Sequence, residues 1–166
     1  MSESSVNTFN GWAIYSHSLF VQRLDDLVTE VERLAASDPD NYHHHPIAKL
    51  FEAVDHQITH CVPSDPTHKD FLVSTLGRDM GHWRRVKKAL PQRYRLFFQF
   101  RSSAPKTIIY AWLNDTSSLR RAGDRNDVYE VFKRLVKGKK MPNSYEDLLA
   151  ASNPGTLSEQ SDSEPA

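Results

Sequence analysis

The sequence predicts one α+β domain: an N-terminal αα-hairpin packed on a small antiparallel β-sheet, with C-terminal helices. Three observations predict it. Apolar residues recur at helical spacing between Leu19 and Cys61. Alternating or continuous apolar runs then occupy the stretch from Trp83 to Leu113. Helical spacing returns between Asp127 and Gly138.

Each element follows from its own pattern. Phe20, Leu24, Leu27, Val28, Val31, Leu34 and Ala35 lie 4, 3, 1, 3, 3 and 1 apart, which makes one helical stripe. Asp38-Pro39-Asp40-Asn41 is a turn. Ile47, Leu50, Phe51, Val54, Ile58 and Cys61 give the apolar face of a second helix, ended by Pro63-Ser-Asp-Pro66. A short connection makes the two a hairpin. Trp83–Lys88 reads as a short strand. Tyr94–Arg101 is a clearer one, with Leu96, Phe98 and Phe100 alternating against Arg95, Phe97, Gln99 and Arg101. Ser102–Lys106 turns the chain, and Thr107–Leu113 is apolar enough for a central strand. Asn114-Asp115 starts a loop. Val128, Val131, Phe132, Leu135 and Val136 define a helix over Asp127–Gly138, with the glycine as its stop. Ser144-Tyr-Glu-Asp147 resembles a capping box for a last helix, Tyr145–Ala151. The domain therefore spans 9–151. Residues 1–8 are expected to be a flexible N-terminus, and 152–166, rich in Ser, Pro and Glu, a disordered acidic tail.

A formal net charge of zero conceals a polar division. Residues 1–77 hold four basic and eleven acidic side chains; residues 78–151 hold seventeen basic and seven acidic. The second part, at +10, is a footprint for a polyanion. Cys61 is the sole cysteine, so no internal disulfide forms. No apolar run reaches membrane-spanning length and no signal peptide opens the chain, so the cytoplasm is expected.

Three clusters carry candidate chemistry. The first is Arg84, Arg85, Lys87, Lys88, Arg93, Arg95 and Arg101, interleaved with aromatics. At a period of two, Arg85 and Lys87 share one direction, as do Arg93 and Arg95. Paired strands would converge them on a phosphodiester, because guanidinium groups on a rigid platform match phosphate geometry. The bland alternative is a solvated edge strand whose cations discourage aggregation. The second cluster is Arg120, Arg121, Arg125 and Tyr129. If the helix reaches back to Arg125, that residue and Tyr129 share a face; otherwise this is a helix start with a packing tyrosine. The third is histidine: His56 and His60 have metal-binding i, i+4 spacing, but Gln57, Ile58 and Thr59 supply no completing Glu, so a polar helix face is the better account. No Gly-rich phosphate loop and no acidic two-metal cluster is present. No cofactor and no metal is expected.

Tyr94-Arg-Leu-Phe-Phe, Ile108-Ile-Tyr-Ala-Trp-Leu-Asn-Asp115, Leu119-Arg-x-x-Gly123 and Val128-Tyr-x-Val-Phe132 resemble the YhaV toxins of the RelE/ParE superfamily. Asn10-Gly-Trp-Ala-Ile-Tyr-Ser-His17, Asp38-Pro-Asp-Asn-Tyr42 and Trp83-Arg-Arg-Val-Lys87 extend the match over about residues 10–150 in the same order. The resemblance implies a RelE-like fold and the toxin of a type II toxin–antitoxin system, an endoribonuclease that cleaves mRNA, free or on the ribosome, and stops translation and growth. It also implies a PrlF/AbrB-like antitoxin, with which the toxin forms a hetero-oligomer that represses its own operon through operator DNA. By the family pattern, Arg85, Lys87, Arg95 and Tyr129 are the catalytic candidates. Arg84, Lys88, Arg93, Arg120, Arg121 and Arg125 are the RNA-binding ones. The spacing at Arg125 and Tyr129 departs from the RelE pattern.

The chemistry suits these residue types. RNA carries its own nucleophile in the 2′-hydroxyl. The protein must remove that proton, stabilise a dianionic phosphorane-like state and protonate the leaving 5′-oxygen. Arginines can clamp the phosphate. Crowded positive charge favours neutral Lys and ionised Tyr, so Lys87 and Tyr129 are both candidates for proton transfer. Two other readings compete: a ParE-like toxin that binds gyrase, and a nucleic-acid-binding module without catalysis.

Overall fold

The computed structural model describes residues 7–154. Its core is a six-stranded sheet with helices on both faces. The strands are β1 (Thr8–Phe9), β2 (Trp12–His17), β3 (Arg84–Val86), β4 (Leu96–Arg101), β5 (Thr107–Leu113) and β6 (Ser152–Pro154), in the order β1-β2-β5-β4-β3 with β6 also on β2. The class is α+β, as expected, but the sheet is mixed. β2 runs parallel to β5, with Ala13 opposite Thr107 and Ser16 opposite Tyr110, while all other pairs are antiparallel.

The expectation of a wholly antiparallel sheet is corrected by β2. Its side chains alternate as a strand requires, but it includes the buried polar residues Ser16 and His17. It then runs without a turn into α1 (Ser18–Ser37), whose first turn His17 caps by accepting from the Leu19 N–H. A parallel partner needs a long crossover, here the whole stretch between β2 and β5, and no local pattern announces that. Ser152–Pro154, assigned to the tail by composition, pairs antiparallel with Tyr15–His17. The rest of the expected tail, and residues 1–6 of the expected flexible N-terminus, lie outside the described residues.

The two sheet faces bury separate cores. On one, Phe20, Leu24 and Leu27 of α1 and Leu50 and Val54 of α2 (Pro46–His56) cover Ile14, Leu96, Phe98, Ile108 and Tyr110. A π-helical turn, Gln57–Cys61, and the short α3 (Val62–Ser64) continue α2. Pro63 has no N–H for the usual i−4 bond, which suits a widened turn before it. On the other face, Val128, Tyr129 and Phe132 of α4 (Val128–Lys137) and Leu148 of α5 (Tyr145–Ala150) cover Trp83, Phe97 and Ile109. Phe97 and Phe132 stack with centroids 4.2 Å apart, and Trp83 meets Phe132 edge-on at 4.8 Å. This second face, where α4 crosses the β3–β4 edge, positions the basic residues. Among the described residues no helix is long and apolar enough to cross a membrane.

Candidate active site

β3 and β4 pair with Arg85 opposite Phe97 and Arg84 opposite Phe98. Alternation therefore sends Arg85 to the α4 face with Arg95 and Phe97, and Arg84 to the α1 face. On the α4 face the hydroxyl of Tyr129 accepts two guanidinium hydrogen bonds: from Arg85 Nε at 2.9 Å and from Arg95 Nε at 3.1 Å. Each arginine is held further by backbone carbonyls. Arg85 Nη1 donates to Asp70 O at 3.1 Å and Leu72 O at 2.9 Å; Arg95 Nη1 donates to Tyr94 O at 2.9 Å. Arg95 is 7% exposed and Tyr129 4%. Burial alone would push the Tyr129 phenol up, but the Arg85 and Arg95 guanidinium groups outweigh it and hold the phenol below its ordinary value.

The start of α4 locks this network. Asp127 caps the helix, accepting from the Tyr129 N–H at 3.1 Å, and its other oxygen takes the Arg121 N–H and Arg120 Nη1, the latter at 2.9 Å. Asp127 is buried, which by itself raises its carboxyl, yet these donors bring it below the usual carboxylate range. The Arg120 guanidinium lies over the Tyr129 ring, 5.0 Å from its centroid. Asn114, fully buried, braces the other side. It accepts from the Arg95 N–H at 2.8 Å and donates to Arg93 O at 3.0 Å and Ser118 O at 2.8 Å. Arg93 also accepts from the Arg120 N–H at 3.0 Å and carries φ of 78°, a left-handed conformation costly for any residue with a Cβ. Two long-range carbonyl bonds hold it there.

A cavity of about 370 Å³ opens beside this network, lined by Lys87, Lys88, Leu90, Gln92, Arg93, Arg95 and Arg120. Five of these seven are cations, so the cavity is built for an anion. Arg95 and Arg120 join it to Tyr129. Lys87 is exposed; Lys88 is tied to Asp70 at 3.2 Å, a bond that also lowers the Asp70 carboxyl.

The expected site residues thus fall into three sets. Arg85, Arg95 and Tyr129 share one hydrogen-bond network, and Lys87, Lys88, Arg93 and Arg120 converge on the adjoining cavity. Four residues stand apart. Arg84 caps Gly81 O and Trp83 O and lies over Phe100, on the opposite sheet face. Arg101 pairs with Glu146 at 2.8 Å and lies over Tyr145. Arg121 pairs with Asp124 at 3.5 Å. Arg125 precedes the helix, which begins at Val128, so the expected shared face with Tyr129 does not form. His56 and His60 stack their rings at 5.0 Å, and among the described residues no group of three His, Cys, Asp or Glu side chains converges. Sequence reasoning missed Asn114, Asp127 and Asp70. Asp127 carried a usable signal, an Asp directly before an apolar helical run; Asn114 and Asp70 carried none.

A small α+β scaffold with a rigid arginine–tyrosine network behind a cationic cavity defines a protein suited to binding an anion. A family model described as a toxin with endonuclease activity, of a toxin–antitoxin system, matches residues 14–153. The chain belongs to this YhaV toxin family. It is 40% identical over 144 residues to "Ribonuclease toxin YhaV" of Escherichia coli strain K12, covering 84% of this chain and 90% of that one. The same identity and coverage hold for "Toxin YhaV" of Escherichia coli O6:H1 and of O157:H7. No solved structure matches the chain. The protein is therefore the toxin of a toxin–antitoxin pair, with endonuclease activity and an antitoxin as partner.

Proposed function

We propose that this toxin cleaves mRNA by attack of the 2′-hydroxyl on the adjacent phosphodiester, without a metal ion, and so stops translation and growth. The observation that carries the reading is the Tyr129 hydroxyl accepting from both Arg85 and Arg95 at the back of a cavity ringed by Lys87, Arg93 and Arg120. The scissile phosphate occupies that cavity. Arg95 and Arg120 aim fixed guanidinium donors at its non-bridging oxygens, where charge grows as the phosphorane forms. Arg85 and Tyr129 do not line the cavity; they are positioning residues that fix Arg95 by hydrogen bonding.

Lys87 lines the cavity, exposed and, among the described residues, without an ion pair. Its amine takes the 2′-proton as the 2′-oxygen attacks phosphorus. The bond to the 5′-oxygen breaks, and the same proton passes to that oxygen. The products are a 2′,3′-cyclic phosphate and a 5′-hydroxyl. The antitoxin that fits the resemblance is a PrlF/AbrB-like protein, which in complex with the toxin binds operator DNA and represses the operon. The substrate is mRNA in the cytoplasm, free or on the ribosome, and the scaffold is RelE-like.

Purified protein incubated with mRNA in EDTA, with and without ribosomes, tests the reading. The expected result is cleavage leaving 2′,3′-cyclic phosphate ends. Arg95→Ala and Arg120→Ala should each slow it on the order of 10²–10³-fold. Cleavage that required a divalent ion, or an Arg95→Ala variant as fast as wild type, would sink it.

A further inference from the structure

A second cavity, of about 230 Å³, lies next to the cationic one and shares Lys87 and Lys88 with it. Its other walls come from the π-helical turn and the loop before β3, including Gln57, Cys61, His68 and Phe71. Its volume falls below the roughly 300–1,000 Å³ of drug-sized sites, a size for one flat ring system.

Gln57 is 3% exposed, and its side-chain amide has no hydrogen-bond partner among the described residues. A buried amide without a partner is costly. Among the described residues only Ser16 Oγ and Arg84 Nε are both unpaired and sealed from solvent. The Gln57 amide is therefore not sealed, and Gln57 lines this cavity. It offers a donor and an acceptor side by side, the pattern that pairs with a base edge. Its position is set by the π-helical turn Gln57–Cys61, a geometry that recurs at functional sites. His68 and Phe71, with ring centroids 6.2 Å apart, supply flat surfaces for stacking.

We infer that this cavity holds the nucleobase adjoining the scissile phosphate and that Gln57 discriminates between bases there. The inference rests on the RNA-cleavage reading, since the two cavities meet at Lys87 and Lys88. A nucleotide with its phosphate against those lysines can extend its base toward Gln57. The rest of the lining is Val86 and Ala89 with Ser64, Asp65 and Asp70; Thr67 already engages the Asp65 carboxylate and Lys88 the Asp70 one.

Cys61, the only cysteine, lines the cavity and reports its occupancy. Alkylation of Cys61 by iodoacetamide is followed by mass spectrometry with each of the four nucleoside 5′-monophosphates, and with ribose 5-phosphate as the baseless control. Expected is at least several-fold protection by one or two of the nucleotides and none by ribose 5-phosphate. Gln57→Leu, close in size, should alkylate at the unliganded wild-type rate and level the nucleotides. Equal protection by ribose 5-phosphate, no protection by any nucleotide, or an unchanged ranking in Gln57→Leu overturns the inference. Mapping of cut sites on a mixed RNA separates the two proposals. Failure of the wild type to cut any RNA overturns the cleavage reading; cutting with a base preference that survives Gln57→Leu overturns only the role of Gln57.

Discussion

Replacing Tyr129 by Phe removes one oxygen and leaves the ring. The edge-on contact with Phe97 at 5.8 Å and the Arg120 contact at 5.0 Å survive, so the variant isolates the hydroxyl. That oxygen accepts from two guanidinium groups, and hydrogen bonds to charged groups contribute about 1.5–3 kcal/mol each. Their losses are unequal. Arg95 is 7% exposed and cannot rehydrate its Nε, whereas Arg85 is half-buried, keeps two carbonyl partners and can recruit water. The expected destabilisation is therefore nearer one full bond than two, about 2–3 kcal/mol. In a domain of this size that corresponds to a fall in Tm of roughly 4–12 °C. Urea unfolding followed by tryptophan fluorescence measures the stability, and RNA cleavage under native conditions measures the slackened Arg95. A loss below about 0.5 kcal/mol, within the range of neutral surface changes, together with an undiminished cleavage rate would refute the view that Tyr129 organises the site.

The same phenol predicts a pH dependence. Its folded value lies below the ordinary 10.0, so its ionisation stabilises the folded state; that stability is complete above the unfolded value and is lost as pH falls through the folded one. The stability gap between wild type and Tyr129→Phe should widen as pH rises toward 10, and a constant gap would contradict the arrangement. Asp127→Ala removes a helix cap and a buried partner of Arg120 together, for an expected loss on the order of 3 kcal/mol by urea unfolding. Because the folded Asp127 carboxyl is depressed, that increment is present above the unfolded carboxylate value and disappears as pH falls through the folded one; the variant should therefore be relatively less acid-sensitive. Arg84→Ala should leave RNA affinity within about twofold, its guanidinium facing the opposite sheet surface, whereas Arg93→Ala, which removes a cation lining the cavity, should flatten the salt dependence of binding by about 0.7 in the log–log slope, one phosphate contact on a single strand. Binding titrations across salt concentrations distinguish the two.

The sequence by itself determined the α+β class, the long helices, the strands β4 and β5, and the basic stretch that carries Arg85 and Arg95. These are local matters: helical stripes, alternation and charge density are written in neighbouring residues. The family resemblance was equally legible, since matched motifs run in order along the chain. The partners of those arginines were not legible. Tyr129 lies 44 residues from Arg85 and 34 from Arg95. Asn114, at the end of β5, reaches back 19 residues to the Arg95 N–H. Only the β3–β4 register decides that Arg85 faces α4 while Arg84, one residue earlier, faces away. Only the parallel pairing of β2 with β5 makes the sheet mixed. A one-residue alternation turns equivalent cations into opposite roles, and the sign of that alternation is fixed by which face buries Phe97 and which buries Phe98.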